Sequence, residues 1–257
     1  MRFTSLGSGS KGNATVVHCG DTRVLIDCGF SVKETEKRLL RVGLEGRDLA
    51  AIVVTHEHAD HIRGVLPLAK KHKLPVMMTV GTSKVLKDHS QVDLTLVDSD
   101  SVFAIGELEL KAVAVAHDAR EPVQYVVRGE GLTLGVLTDL GSITPHVLEN
   151  YRQCDGLLVE SNHDVDMLAD GPYPPSLKHR VGGAWGHLNN QQTLHLLQNI
   201  HLEQLQHLVI GHISQQNNSL NLVKNVISAI EDQLPVVHYA CQDEGFSWIE
   251  LLRGDIY

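Results

Sequence analysis

The stretch Ala51-Ile52-Val53-Val54-Thr55-His56-Glu57-His58-Ala59-Asp60-His61 decides the reading of this chain. An apolar run of strand type ends in three imidazoles and a carboxylate packed into six residues. Crowding such groups at the end of a buried strand is costly unless something binds them. Imidazole nitrogen and carboxylate oxygen are the ligands that zinc and similar divalent ions take. In extended chain, residues two apart point the same way, so His56 and His58 face one ion. If the chain then turns into a helix, Asp60 and His61 point toward a second. The competing reading, a His-rich surface loop, sits poorly with the strand in front.

Working outward, the same pattern recurs. Asp27 ends RVLID, His117 ends AVAVAH, Asp139 ends LGVLTD, Glu160 ends GLLVE and His212 ends HLVIGH. A ligand-type residue after each of six apolar runs suits the strand edge where loops converge in layered α/β folds. His117, Asp139 and His212 are read as metal ligands. Asp27 is read as a carboxylate that orients a ligand imidazole. His163 is open between a substrate or metal contact and a satisfied loop histidine.

Short strands are expected at Arg2 to Leu6, Ala14 to Cys19 and Arg23 to Asp27, with an amphipathic helix over Val32 to Val42. A helix is expected over Ile62 to His72, and Val236 to Ala240 and Phe246 to Leu251 are expected to close a second sheet. The Pro- and Gly-rich stretch His163 to Trp185 reads as a long functional loop or lid. Composition allows one large soluble domain: 257 residues, 42% hydrophobic and 21% charged. No run is long and apolar enough for a membrane span, and MRFTSLGSGSKGN has no secretory core, so a cytoplasmic protein without membrane contact is expected. The four cysteines form no CxxC pair, which suits reduced core thiols. A net charge of −9 means that any contact with a polyanion is local and helped by cations. Aromatics are 4%, which argues against an extended stacking platform; Trp185 and Tyr173 lie in the expected lid.

The HxHxDH run at His56, His58, Asp60 and His61 resembles the signature of the metallo-β-lactamase superfamily. Further runs narrow the resemblance to its YycJ/WalJ branch: Ser8-Gly9-Ser10-Lys11-Gly12-Asn13, Ile26-Asp27-Cys28-Gly29, Ala116-His117-Asp118, Leu137-Thr138-Asp139, Glu160-Ser161-Asn162-His163-Asp164, Gly186-His187-Leu188 and Gly211-His212-Ile213-Ser214-Gln215. The resemblance implies a four-layer αββα sandwich in a single domain over 1–257, with two pseudo-symmetric βα halves meeting near 115–130. It also implies two divalent ions and nuclease activity. Members of the branch are described as 5′-to-3′ exonucleases on double-stranded DNA linked to mismatch repair. On that pattern His56, His58 and His117 hold one ion, Asp60, His61 and His212 the second, and Asp139 bridges them. Zinc is expected from the imidazoles, with manganese open. Two ions roughly 3.5–4 Å apart can hold a bridging hydroxide and clamp the phosphoryl oxygens. Asp60 would orient that nucleophile and His187 would protonate the leaving oxygen.

For phosphate recognition, Ser8, Ser10, Lys11 and Asn13 form either an anion nest or an ordinary tight turn. Lys178, Arg180 and His187, ahead of a helix N-terminus, are expected to meet phosphate, the natural ligand being a DNA end with a 5′ phosphate. Asn162 and His163 are further candidate substrate contacts. Where a Ser or Thr would cap the helix after His187, Asn189-Asn190 stands and caps equally well. Two other functions compete: hydrolysis of a small cyclic phosphodiester or thioester on the same fold, and a metal-binding regulator without turnover.

Overall fold

The computed structural model describes residues 1–253. Two seven-stranded sheets face each other. The first has the order β14-β1-β2-β3-β4-β5-β6, with β1 Arg2–Gly7, β2 Ala14–Cys19, β3 Thr22–Ile26, β4 Ala51–Val53, β5 Val76–Thr79, β6 Leu94–Val97 and β14 Phe246–Glu250. The second has the order β13-β12-β11-β10-β9-β8-β7, with β7 Val102–Ile105, β8 Leu108–Ala114, β9 Val123–Gly129, β10 Leu132–Leu137, β11 Gly156–Glu160, β12 His207–Gly211 and β13 Val236–Tyr239. In each sheet antiparallel pairings on one side give way to parallel pairings on the other, the change falling at β3 and at β10. The chain passes between sheets from Val97 to Val102, upstream of the 115–130 stretch.

Alternation along the strands builds the layers. Val17, Ile26, Val53, Leu158 and Val209 point between the sheets, where they pack with Phe3, Leu110, Tyr125 and Leu134. Their chain neighbours Val16, Leu25 and Ile52 point the other way and pack under α1 Val32–Arg41 and α3 Val65–His72 through Leu39, Val65 and Leu68. Leu157, Val159 and Ile210 likewise pack under α5 Pro145–Tyr151, α8 Asn190–Leu197 and α9 Leu220–Ile227. Three cores between four layers make the αββα sandwich. Strands buried on both faces read as unbroken apolar runs, which is why AIVVT and HLVIG were legible.

Three expectations change. Phe246 to Leu251 does not close the second sheet: β14 pairs with β1 and extends the first. The strand Val102–Ile105 was not expected; it is a four-residue edge strand, apolar throughout (VFAI) but with Val102 half-exposed. The 163–185 stretch is not a loop. It holds α6 Val165–Asp170, capped by Asp164, and α7 Pro175–Val181, which starts with Pro at its first turn. Two further short helices, α2 Ala59–Ile62 and α4 Val80–Ser83, follow β4 and β5.

Candidate metal centre

The C-terminal ends of β3, β4, β10, β11 and β12 meet at one edge of the sandwich. His56 leaves β4 through Val54 and Thr55, and His58 caps α2, so that the turn into the helix brings Asp60 and His61 back under the strand ends. Asp27, Asp139 and His212 each follow a strand with left-handed backbone, at φ 62°, 57° and 50°. Non-glycine residues adopt that region at a cost of order 1–3 kcal/mol, and only where the surroundings impose it. Here they do. Asp27 N donates to Val53 O, and His212 N donates to Ser8 Oγ while Asn162 Nδ2 donates to His212 O. The turn after Asp139 is held through Leu140 N, which donates to Glu160 Oε1.

The imidazole tautomers of His61, His56 and His117 are fixed from outside. His61 Nδ1 donates to Asp27 Oδ2 at 2.8 Å. Thr55 Oγ1 donates to the same carboxylate and so accepts from His56 Nδ1 at 2.9 Å. His117 Nδ1 donates to Gly186 O at 2.9 Å. Among the described residues no hydrogen bond fixes the His58 proton in this way: its Nε2 lies 3.7 Å from Asp118 Oδ1 and 3.5 Å from Arg180 Nη2. The remaining ring nitrogens of His56 and His117 therefore carry lone pairs, and both point at His58 Nδ1, which lies 3.0 Å from His56 Nε2 and 3.2 Å from His117 Nε2. Converging lone pairs repel unless a cation lies between them. Nitrogens about 2.0–2.1 Å from a tetrahedral ion stand roughly 3.3 Å apart, the spacing seen here. The donor set fits a divalent ion.

A second convergence adjoins the first. His61 Nε2 lies 3.2 Å from Asp139 Oδ2 and 3.5 Å from Asp60 Oδ2, and His212 Nδ1 lies 3.1 Å from Asp139 Oδ1. Asp139 Oδ2 and His212 Nδ1 are buried without a hydrogen-bond partner. Such orphaned atoms are expected where an ion completes the site. The geometry ties Asp139 to both convergences, since it groups with His56 and His61 on one side and with Glu160, His187 and His212 on the other. Burial and the neighbouring His61 lower the basicity of His56. Burial also opposes charge on His61, yet Asp139 and Asp27 outweigh it and raise His61 well above the ordinary imidazole value. Burial works against the Asp139 carboxylate in the same way, and His212 and His61 outweigh it and hold Asp139 well below the usual range.

His187 lies beside this pair, its Nδ1 3.0 Å from Glu160 Oε2 and 3.6 Å from Asp139 Oδ1. Burial opposes its charge, but the Glu160 carboxylate raises it to about 9. Glu160 is fully buried and also accepts from Leu140 N and Leu188 N. Sequence reading placed Glu160 at a strand end and gave it no role; its partner, 27 residues on, is brought to it only by the fold. Asp118 was likewise unassigned. It reaches His117, His58 and the guanidinium of Arg180.

A cavity of about 420 Å³ opens over these residues and is bordered by Ser10, Asp60, Asp139, Arg180, His187 and His212 among others. The other expected substrate contacts lie elsewhere. Ser8 and Asn13 are buried: Ser8 Oγ holds His212 N, and Asn13 Nδ2 reaches Asp60 and His61. The amides of Gly9, Lys11, Gly12 and Asn13 already donate to Asn13 Oδ1, Gln242 Oε1, Gly9 O and Asp60 O. The turn braces Asp60, His61 and His212, and these four amides are already engaged within the protein. Asn162 braces His212, and His163 is buried, pushed down to about 4 by burial, and absent from the cavity wall. Lys178 turns to Ala169 O at the end of α6. At the N-terminus of α8 a capping box engages the amides of Asn189 and Gln192, and Asn190 N donates to His163 O.

A family model described as "Beta-lactamase superfamily domain" matches residues 22–213. The exodeoxyribonuclease YycJ of Bacillus anthracis is 31% identical, over 91% of this chain and 90% of that protein. The exodeoxyribonuclease WalJ of Streptococcus pneumoniae (strain D39) is 29% identical, over 85% of this chain and 83% of that protein. Among solved structures, Zn(2+)-bound PqqB from Methylobacterium extorquens shares the fold with a TM-score of 0.74 at 17% identity, covering 98% of this chain and 100% of that one.

Proposed function

Because the chain belongs to the metallo-β-lactamase superfamily, in the branch of the YycJ and WalJ exodeoxyribonucleases, we propose that it is a metal-dependent 5′-to-3′ exodeoxyribonuclease acting on double-stranded DNA from a 5′-phosphate end. The observation that carries this reading is the meeting of two ligand sets at Asp139, with His187 3.6 Å away on the floor of one cavity. His56, His58 and His117 would hold one ion, Asp60, His61 and His212 the other, with Asp139 between them. Bound there, two divalent ions supply Lewis acidity, which makes a water nucleophilic near neutral pH and offsets phosphoryl charge. Zinc suits the imidazole-rich set best, and manganese is the alternative.

The chain's own residues do the rest. Asp60, with one face in the cavity and Asn13 Nδ2 3.3 Å from Oδ2, orients the attacking water. Glu160 fixes the ring of His187 through Nδ1, which leaves Nε2 to give its proton to the leaving oxygen. Arg180 faces the cavity and meets phosphate in exchange for its Asp118 partner. Among the described residues no helix is long and apolar enough to cross a membrane, and a cytoplasmic role in DNA repair accords with the reading.

The test is degradation of a linear duplex with a 5′ phosphate, beside 5′-hydroxyl and circular duplexes, in zinc and in manganese, with Asp139→Ala as control. Stepwise release of nucleotides from the phosphorylated end, absent in the control, supports the proposal. No cleavage of any duplex in either metal overturns it and turns attention to small phosphodiesters.

A further inference from the structure

One wall of the cavity has no part in the chemistry described so far. Leu177 and Val181 stand four residues apart on α7 and share one face, and Tyr173, just ahead of the helix, lines the same cavity. An amphipathic helix normally buries such a face in the core. α7 buries none of its residues, and these three side chains stay half-buried, turned to the cavity opposite Asp60, Asp139 and His212. Phosphate and metal ions need polar groups only. An apolar wall within the same cavity answers to a different part of the substrate.

We propose that Tyr173, Leu177 and Val181 form the binding wall for the nucleobase of the nucleotide being released, with Tyr173 stacking on it. The inference rests on the nuclease reading and adds the part of the substrate that reading leaves unplaced. Arg180 stands on the same helix and reaches Asp118 and the His58 ring, the side where phosphate is handled. α7 thus presents an apolar surface and a cation in the order of base and phosphate. A cavity of about 420 Å³ is of a size to take one nucleotide. The terminal pair must open before the base reaches the wall. Because an apolar wall contacts ring faces and not base edges, it accepts all four bases.

The experiment is calorimetric binding of dAMP and of 2-deoxyribose 5-phosphate to the metal-loaded protein, its Tyr173→Ala, Tyr173→Phe and Leu177→Ala variants. Wild type and Tyr173→Phe should bind dAMP about tenfold more tightly than the sugar phosphate, the size of one stacked base. Tyr173→Ala should bring the two ligands to within about twofold, and Leu177→Ala should narrow the gap. Equal affinity in wild type, undetectable binding of both ligands included, overturns the proposal, and so does a preference that survives in Tyr173→Ala. The readout needs no turnover. Preference for dAMP without degradation of any duplex sinks the exonuclease reading and leaves the wall standing.

Discussion

Asp27→Asn separates the role of a carboxylate from that of the backbone it sits on. Asp27 is buried and accepts three hydrogen bonds of 2.8 Å, from Thr55 N, Thr55 Oγ1 and His61 Nδ1. Asparagine tolerates the left-handed backbone almost as well as aspartate, so φ 62° adds little strain. Its amide oxygen still serves Thr55 N. Its NH₂ group, where Oδ2 now stands, cannot accept from His61 Nδ1. The His61 ring then loses the acceptor that holds its proton on Nδ1 and its lone pair on Nε2, facing Asp60 and Asp139. Loss of such a supporting partner typically weakens metal affinity about 10–100-fold, or about 1.4–2.7 kcal/mol. The charge-assisted bond itself contributes about 1.5–3 kcal/mol to the fold. We therefore expect one of two zinc sites to weaken by about 10–100-fold in competition with a chromophoric chelator, while the site of His56, His58 and His117 changes much less. Circular dichroism should show the native fold with a lowered melting temperature. Two sites of wild-type affinity in Asp27→Asn would refute the assignment of Asp27 as the group that orients His61.

His187→Ala should lower turnover about 10²–10⁴-fold with metal content unchanged; loss of metal would show that His187 is a ligand and not the proton donor. Gly29→Ala places a methyl group against the Asp60 carbonyl and 2.9 Å from Asn13 N. Neither backbone atom can yield without moving the turn that carries Asp60 and His61, so a lower melting temperature with zinc lost from the second set is expected, and a fully loaded protein of wild-type stability would contradict the packing. Chelation should destabilise the fold by about 2.7 kcal/mol if the metal had been present at 100 times its Kd, a drop of roughly 5–10 °C in calorimetry. An unchanged melting temperature after removal would mean that no ion relieves the converging imidazoles.

Sequence by itself determined the parts of this protein that depend on local pattern. Period-two and unbroken apolar runs marked most strands. The residue after each run marked the site, because His56, His117, Asp139 and His212 must follow a buried strand to reach its edge. The spacing of His56, His58, Asp60 and His61 carried the local geometry, since two short-range periods dictate where those side chains point. Only the tertiary structure decided what meets what. β14 reads like any edge strand, and nothing in its residues says that it pairs with β1 and not with β13. The Ser8–Asn13 turn reads like an anion nest until Gln242, 231 residues from Lys11, fills it. Glu160 becomes the partner of His187, and Asp118 that of Arg180, because two sheets stack, and stacking sets contacts between residues far apart in the chain. Leu177 and Val181 share a face by local periodicity, but whether that face meets core or cavity, and whether Tyr173 joins it, is fixed by where α7 comes to rest.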